Sequence, residues 1–271
     1  MAAPAIVFLT DYGLQDEFVG TCHAVMARLC PDARVIDLTH GVPRHHVRAG
    51  AVALRNALPY LPDGAVVLAV VDPDVGGERR GVALRTADGR IMVGPDNGLL
   101  APATVRAGGV AELVDVDRSP FRLEPVSATF HGRDLFAPVA ALLAGGAALS
   151  EAGEPLDPGE LTPLALPRPI REGDALLAHV LSVDAFGNAT LDVTHEDLAG
   201  SGLRLGRRVA IRVGGDRFVG HYGVTFTDVA PGEVLVYEDA SRSLALAINR
   251  ASAAAGLGLE LDAEVRLAPL D

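Results

Sequence analysis

Residues 65–80 read AVVLAVVDPDVGGERR: seven aliphatic residues, then a polar, glycine-rich turn. The run shows no alternation, so both faces of the segment must be buried. That is how a central parallel strand reads, because helices cover both sides of its sheet. It is far too short to span a membrane. Working outward, Ala5 to Leu9 is a second apolar run and ends in Thr10-Asp11. Phe18, Val19, Cys22, Val25, Met26 and Leu29 recur at helical spacing, as do Val47, Ala51, Leu54 and Leu58. Arg34 to Leu38, Gly81 to Arg85, Ile91 to Val93 and Glu112 to Val116 read as further strands, and Leu135 to Leu143 as another helix. Strands alternating with helices predict a layered α/β domain with a mostly parallel sheet.

Between residues 151 and 173 the texture changes to EAGEPLDPGELTPLALPRPIREG, with five prolines and no period. This predicts a linker or wrap-around segment. Beyond it Leu176 to Val183, Arg208 to Val213, Val234 to Tyr237, Leu244 to Ile248 and Glu264 to Leu267 read as strands between glycine-rich turns. The expected organisation is an N-terminal α/β domain over 1–165 and a C-terminal β-barrel domain over 173–271.

Composition narrows the partners. The 271-residue chain has 23 basic and 35 acidic residues, a formal net charge of −12, and all its basic residues are arginine. An acidic surface repels phosphate backbones and anionic lipid, which argues against nucleic acid and membrane partners but not against a cationic small molecule. Without lysine there is no Schiff base and no phosphate-loop lysine. Cys22 and Cys30 lie two turns apart on one helix, too far for a disulfide, and read as buried thiols in a reducing compartment. The first residues carry no positive export region, and the expected location is the cytoplasm.

In open α/β sheets ligands bind beyond the carboxyl ends of the strands. Thr10-Asp11-Tyr12-Gly13, the turn from Asp72 to Arg80, and Gly94-Pro95-Asp96-Asn97-Gly98 all follow strands. A fourth cluster, Thr129 to Asp134, opens a helix. Any one of these could be ordinary turn or cap chemistry; four at one sheet edge point to a site. Asp72 and Arg79 flank a glycine-rich turn and can fold toward one another. His131 stands before a helix N-terminus, whose positive end favours a neutral ring. A carboxylate, a guanidinium and a neutral imidazole can hold and polarise a water. A metal reading from Asp, His and Asp lacks ligand spacing, and no metal is expected.

The set TDYG, VDPDVGGERR, GPDNGL, TFHGRDLFAP and, later, DAFGN resembles the S-adenosylmethionine (SAM) hydroxide adenosyltransferase family, relatives of the fluorinases and chlorinases, over nearly the whole chain. The resemblance implies an α/β domain, a β-barrel and a homotrimer, with sites between the N-terminal domain of one subunit and the C-terminal domain of the next. It implies hydrolysis of SAM at ribose C5′, giving adenosine and methionine, with SAM as substrate and no cofactor. Asp72, Arg79 and His131 match the water-activating set. Asp11 matches the carboxylate that holds the ribose hydroxyls, and Asp16 a contact to the methionine part. Asp184 would face the methionine ammonium, Asn188 the adenine edge and Ser241 the methionine carboxylate. His45 stands where the family usually carries an aromatic residue; as ordinary helix-start residues, His45 and His46 have an alternative reading. The halogenases carry an extra loop in the N-terminal domain, and the compact path from Arg80 through Gly94 to His131 favours water as nucleophile. The rival readings are halide adenosylation, a non-catalytic SAM or adenosine sensor, and a metal-dependent hydrolase.

Overall fold

A computed structural model describes residues 4–270. The chain divides into two compact units, residues 1–164 and 165–271. The first is a seven-stranded sheet with helices on both faces. Strands β1 (Ala5–Thr10), β2 (Arg34–Thr39), β3 (Val66–Val70), β4 (Gly81–Thr86), β5 (Ile91–Pro95), β6 (Val110–Asp115) and β7 (Glu154–Leu156) lie in the order β2-β1-β3-β5-β4-β6-β7. Pairings β1–β2, β1–β3 and β3–β5 are parallel, whereas β4–β5, β4–β6 and β6–β7 are antiparallel. The sheet is therefore mixed rather than mostly parallel. The parallel half follows from β1 and β3, each buried along its whole length. Antiparallel β4 and β5 need only a tight turn between them, and residues 87–90 supply it.

Helix α1 (Phe18–Leu29) packs against α4 (Ala137–Ala144) on one face, over Ile6, Phe8, Leu68 and Val70. On the other, α2 (Val47–Ala57) packs against α3 (Ala101–Arg106). Alternation along β1 sends Ile6 and Phe8 into the α1–α4 core and Val7 into a separate apolar cluster, the period-two consequence of a pleated strand. Cys22 and Cys30 are buried and free; α1 ends at Leu29, so Cys30 lies just past the helix rather than on it, and burial pushes the Cys22 thiol up to about 12. The proline-rich segment is more ordered than its composition predicts. It donates β7 to the first sheet, and β8 (Ile170–Glu172) pairs with the first barrel strand.

That barrel is the second unit. Strands β9 (Ala175–Val183), β10 (Ala189–Thr194), β11 (Arg208–Val213), β12 (Asp216–Tyr222), β13 (Val234–Glu238), β14 (Ser243–Ile248) and β15 (Glu264–Pro269) run in the order β10-β14-β13-β12-β11-β15-β9, and β9 pairs back with β10 to close it. Strands β10 and β12 are absent from the sequence reading, the first because its apolar alternation is short and the second because Asp216-Arg217 and His221 break its pattern. Inward residues such as Val180, Leu191, Ile211, Leu246 and Leu267 fill the interior. No helix among the described residues is long and apolar enough to cross a membrane.

The β3–β5 contact depends on one missing side chain. A Cβ at Gly94 would run into the carbonyl oxygen of Ala69 on β3. Gly94→Ala is therefore expected to cost about 1–3 kcal/mol, since backbone must shift to admit the methyl. Calorimetric unfolding should show a lowered Tm; an unchanged Tm would mean that this approach does not set the strand spacing.

Candidate functional site

Three of the four polar clusters meet at one cavity of about 580 Å³, at the carboxyl ends of β1 and β3. That volume suits a small-molecule ligand. Asp11, Tyr12, Asp16 and Glu17 come from the stretch joining β1 to α1, Phe18 from the first position of α1, Asp72 and Val75 from the turn just after β3, and Thr129 to Arg133 from the approach to α4. The fourth cluster is a brace. Buried Asp96 pairs with Arg80 at 3.1 Å and accepts from the Thr162 amide at 2.7 Å, and the Asn97 amide donates to the Val71 carbonyl at 2.8 Å.

Asp72, Arg79 and His131 form one hydrogen-bonded unit. Arg79 Nε donates to both Asp72 oxygens, at 2.9 and 3.1 Å, and Nη2 donates to Oδ2. The same Nη2 lies 2.8 Å from His131 Nδ1. An arginine is always protonated, so Nδ1 must offer its lone pair, and the ring proton sits on Nε2. Burial lowers the His131 pKa, and the Arg79 cation lowers it further, so the ring stays neutral. The direction agrees with the sequence reading, with burial first and the Arg79 cation second among its causes. The helix itself starts with a π-turn, Gly132–Phe136, before α4. Arg79 does not border the cavity. Its side chain is only 7% exposed and lies behind Asp72 and His131, near Asp117 at 4.0 Å and over the Phe136 ring at 5.4 Å.

The Asp11 carboxylate borders the cavity and accepts from the His45 amide at 2.8 Å. His45 adopts φ 65°, a left-handed conformation uncommon outside glycine, and also lines the cavity. His46 takes the other path: its ring caps α2 by accepting from the Ala49 amide at 3.1 Å. His45 thus borders the cavity, whereas His46 serves the start of the helix.

Sequence reasoning missed the aromatic wall. Tyr12, Phe18 and Phe130 meet edge to face, with centroids 5.2–6.1 Å apart, and all three border the cavity. The only available signal is that Tyr12 and Phe130 sit inside polar motifs. Gly132 permits this packing, because a Cβ there would collide with the Tyr12 hydroxyl. Arg133 and buried Asp134 form a bidentate pair at 2.6 and 2.8 Å that fixes the entry to α4. Carboxylates from Asp11, Asp16, Glu17 and Asp72 outnumber the cations Arg44 and Arg133 around this cavity.

The other three sequence-selected residues lie in the barrel unit. Asp184 folds over its own turn, accepting from the Phe186 and Asn188 amides at 2.9 and 2.8 Å and from the Asn188 side chain at 2.8 Å. Asn188 lines a cavity of about 570 Å³ with Phe186, Phe226 and Arg250. Ser241 is exposed on the turn between β13 and β14, its amide bonded to Asp239 at 2.8 Å, and it does not line that cavity.

Comparison with known proteins assigns the chain to a family. Residues 6–153 match the model of the SAM hydroxide adenosyltransferase N-terminal domain, and residues 178–266 that of its C-terminal domain. A protein of Salinispora tropica named (R)-S-adenosyl-L-methionine hydrolase is 50% identical over 94% of each chain. A crystal structure of an uncharacterised conserved protein from Thermotoga maritima superposes with a TM-score of 0.90 at 34% identity, covering 97% of this chain and 99% of that one. A fluorinase of Nocardia brasiliensis is 28% identical over 97% of this chain and 96% of its own. With both domain models matched in order, the chain belongs to the SAM hydroxide adenosyltransferase family.

Proposed function

We propose that this protein hydrolyses SAM at ribose C5′, using a water held by Asp72 and His131, and releases adenosine and methionine. The observation that carries the reading is the Arg79 bridge, which presents a carboxylate and an imidazole of defined tautomer at one wall of an acidic cavity. The sulfonium is a good leaving group and departs as a neutral thioether. Catalysis therefore needs position more than acid: a water about 3–3.5 Å from C5′, in line with sulfur.

The roles follow from the lone pairs. His131 Nδ1 is taken by Arg79, so Nε2–H is a donor and can hold the water oxygen. Asp72 keeps acceptor capacity beyond its bonds to Arg79 and takes the proton. Arg79 acts as a positioning residue behind both. Asp11 is assigned to the ribose hydroxyls, since one carboxylate can accept from two adjacent donors. Asp16 is assigned to the methionine part, Asp184 to the methionine ammonium, Asn188 to adenine and Ser241 to the methionine carboxylate. No cofactor is required by this scheme. The path from Arg80 through Gly94 contains only a four-residue turn between β4 and β5 and no inserted loop, which supports water over halide. The named hydrolase relative acts on the R sulfonium epimer, and we extend that preference to this chain. Because the assigned contacts divide between the two units, we also propose a homotrimer in which neighbouring copies complete each site.

Incubation with each SAM epimer in ¹⁸O-labelled water is expected to give adenosine carrying the label at its 5′-oxygen, with the R epimer consumed. A chlorinated nucleoside as main product in chloride buffer would overturn the assignment.

Asp72→Asn, which removes the proton acceptor, should lower kcat by about 10²–10⁴-fold, and His131→Ala, which removes a positioned donor to the water, by about 10²–10³-fold. The double variant should be little worse than the poorer single one, because the groups act as a unit. The working imidazole is neutral and its pKa is lowered, so the acid limb of kcat should lie below the ordinary histidine value of about 6.5. Arg79→Gln removes a cation that depresses that pKa, and the limb should move up. A limb unmoved in Arg79→Gln would separate His131 from the rate.

Light scattering at assay concentrations should give three times the chain mass of 28.1 kDa. A fully active monomer would refute the shared site.

A further inference from the structure

Next to the cavity, but outside it, two histidines converge on one carboxylate oxygen. His23 on α1 places Nε2 2.8 Å from Asp37 Oδ1, and His40, just after β2, places its Nε2 3.0 Å from the same atom. The three ligand atoms lie within 4.8 Å of one another. We propose that His23, Asp37 and His40 form a binding site for one divalent transition-metal ion of the zinc and cobalt class.

The spacing is the first argument. Nitrogen and oxygen ligands at about 2.0–2.1 Å from the ion stand about 3 Å apart along an octahedral cis edge and about 3.3 Å apart along a tetrahedral one. The separations of 2.8 and 3.0 Å are close to the octahedral edge length. The donor set is the second. Two imidazoles and one carboxylate suit zinc, cobalt, nickel or iron, whereas magnesium and calcium prefer oxygen throughout.

Preorganisation is the third argument. The His40 side chain is 3% exposed, and the Phe8 ring packs against both imidazoles, with centroids 4.8 Å from His40 and 6.0 Å from His23. His40 Nδ1 lies 2.8 Å from buried Thr10 Oγ1. When Nε2 binds a metal, the ring proton resides on Nδ1 and donates to that hydroxyl. This is the outer-sphere bond that orients most metal-binding histidines. Asp37 and His23 are partly exposed, which leaves the remaining coordination positions open to water.

The same bonds tie the site to the substrate loop. Thr10 Oγ1 accepts from the Tyr12 amide at 3.1 Å, and the His40 carbonyl accepts from the Gly13 amide at 2.8 Å. An ion at His40 would therefore pin the loop that carries Asp11. The proposal does not depend on the reaction assigned above.

The test uses the untagged full chain after chelator treatment. Equilibrium dialysis against Co²⁺ is expected to give one ion per chain, with visible ligand-field absorption. His23→Ala and Asp37→Asn should each weaken binding about tenfold or more, since loss of a ligand costs at least what loss of an outer-sphere partner does. Metal-free His23→Ala should form adenosine at the metal-free wild-type rate, as His23 touches no cavity residue assigned to the reaction. In the wild type, ¹⁵N spectra of the histidines should move at His23 and His40 when Zn²⁺ is added. Equal Co²⁺ binding by His23→Ala and wild type, or Zn²⁺ shifts confined to other histidines, would overturn the proposal.

Discussion

The buried Arg79 guanidinium is the constraint on which the site depends. It is a planar fork whose donors reach Asp72 and His131 at once, and a point-like ammonium could not span both. The three residues come from different places: the end of β3, the start of β4 and the approach to α4. Their meeting therefore joins the central strand, the turn of β3 to β4 and the α4 face. The side chains of Arg79 and Asp72 are 7% and 5% exposed. Removing one partner leaves the other charge buried and uncompensated, at a cost of about 3–5 kcal/mol. The group that fixes the imidazole tautomer is thus also a keystone of the fold.

Around that bridge the cavity separates its tasks by chemistry. Carboxylates favour a cationic ligand, the Tyr12–Phe18–Phe130 wall offers apolar surface, and the Arg79 cation is kept out of view behind Asp72. A guanidinium facing a sulfonium would repel it. Here the positive charge acts on the protein's own groups while the ligand meets their negative and neutral sides. The same logic explains Asp96 and Asn97. They are drawn from as polar a motif as Asp72, yet their bonds to Arg80, Thr162 and Val71 fix the strand ends that carry the site.

Much of this was legible in the residues. Every helix with a clear 3.6 period and every strand with a continuous apolar run stands where the pattern put it, because burial dictates both. The mixed sheet was not legible: β4 and β5 look alike in either direction, and only the brevity of residues 87–90 marks them as a hairpin. Strands β7 and β8 were hidden by proline. At the site, Asp72, Arg79 and His131 could be paired from motif chemistry, but the placement of Arg79 against Phe136 and beside Asp117 rests on residues that no spacing connects to it. The aromatic wall was equally silent, since its members are scattered along the chain and meet only once α1 and the α4 approach are packed.

The short, proline-bearing β7 has a consequence for life in a crowded solution. With 15 strands among the described residues and 49% hydrophobic residues, the chain offers many templates for unwanted sheet extension. The barrel closes on itself through β9 and β10, leaving β8 as a three-residue flap on its rim. The α/β sheet cannot close, so its margins must discourage neighbours. One margin ends in three residues with Pro155 at their centre, where a missing amide hydrogen interrupts any ladder. The other, β2, carries Arg34 and Asp37 along its length, and charge on an edge strand resists docking of another strand. One of the two guarded margins therefore lies in the least regular part of the sequence, the same proline-rich stretch that looks like mere connection.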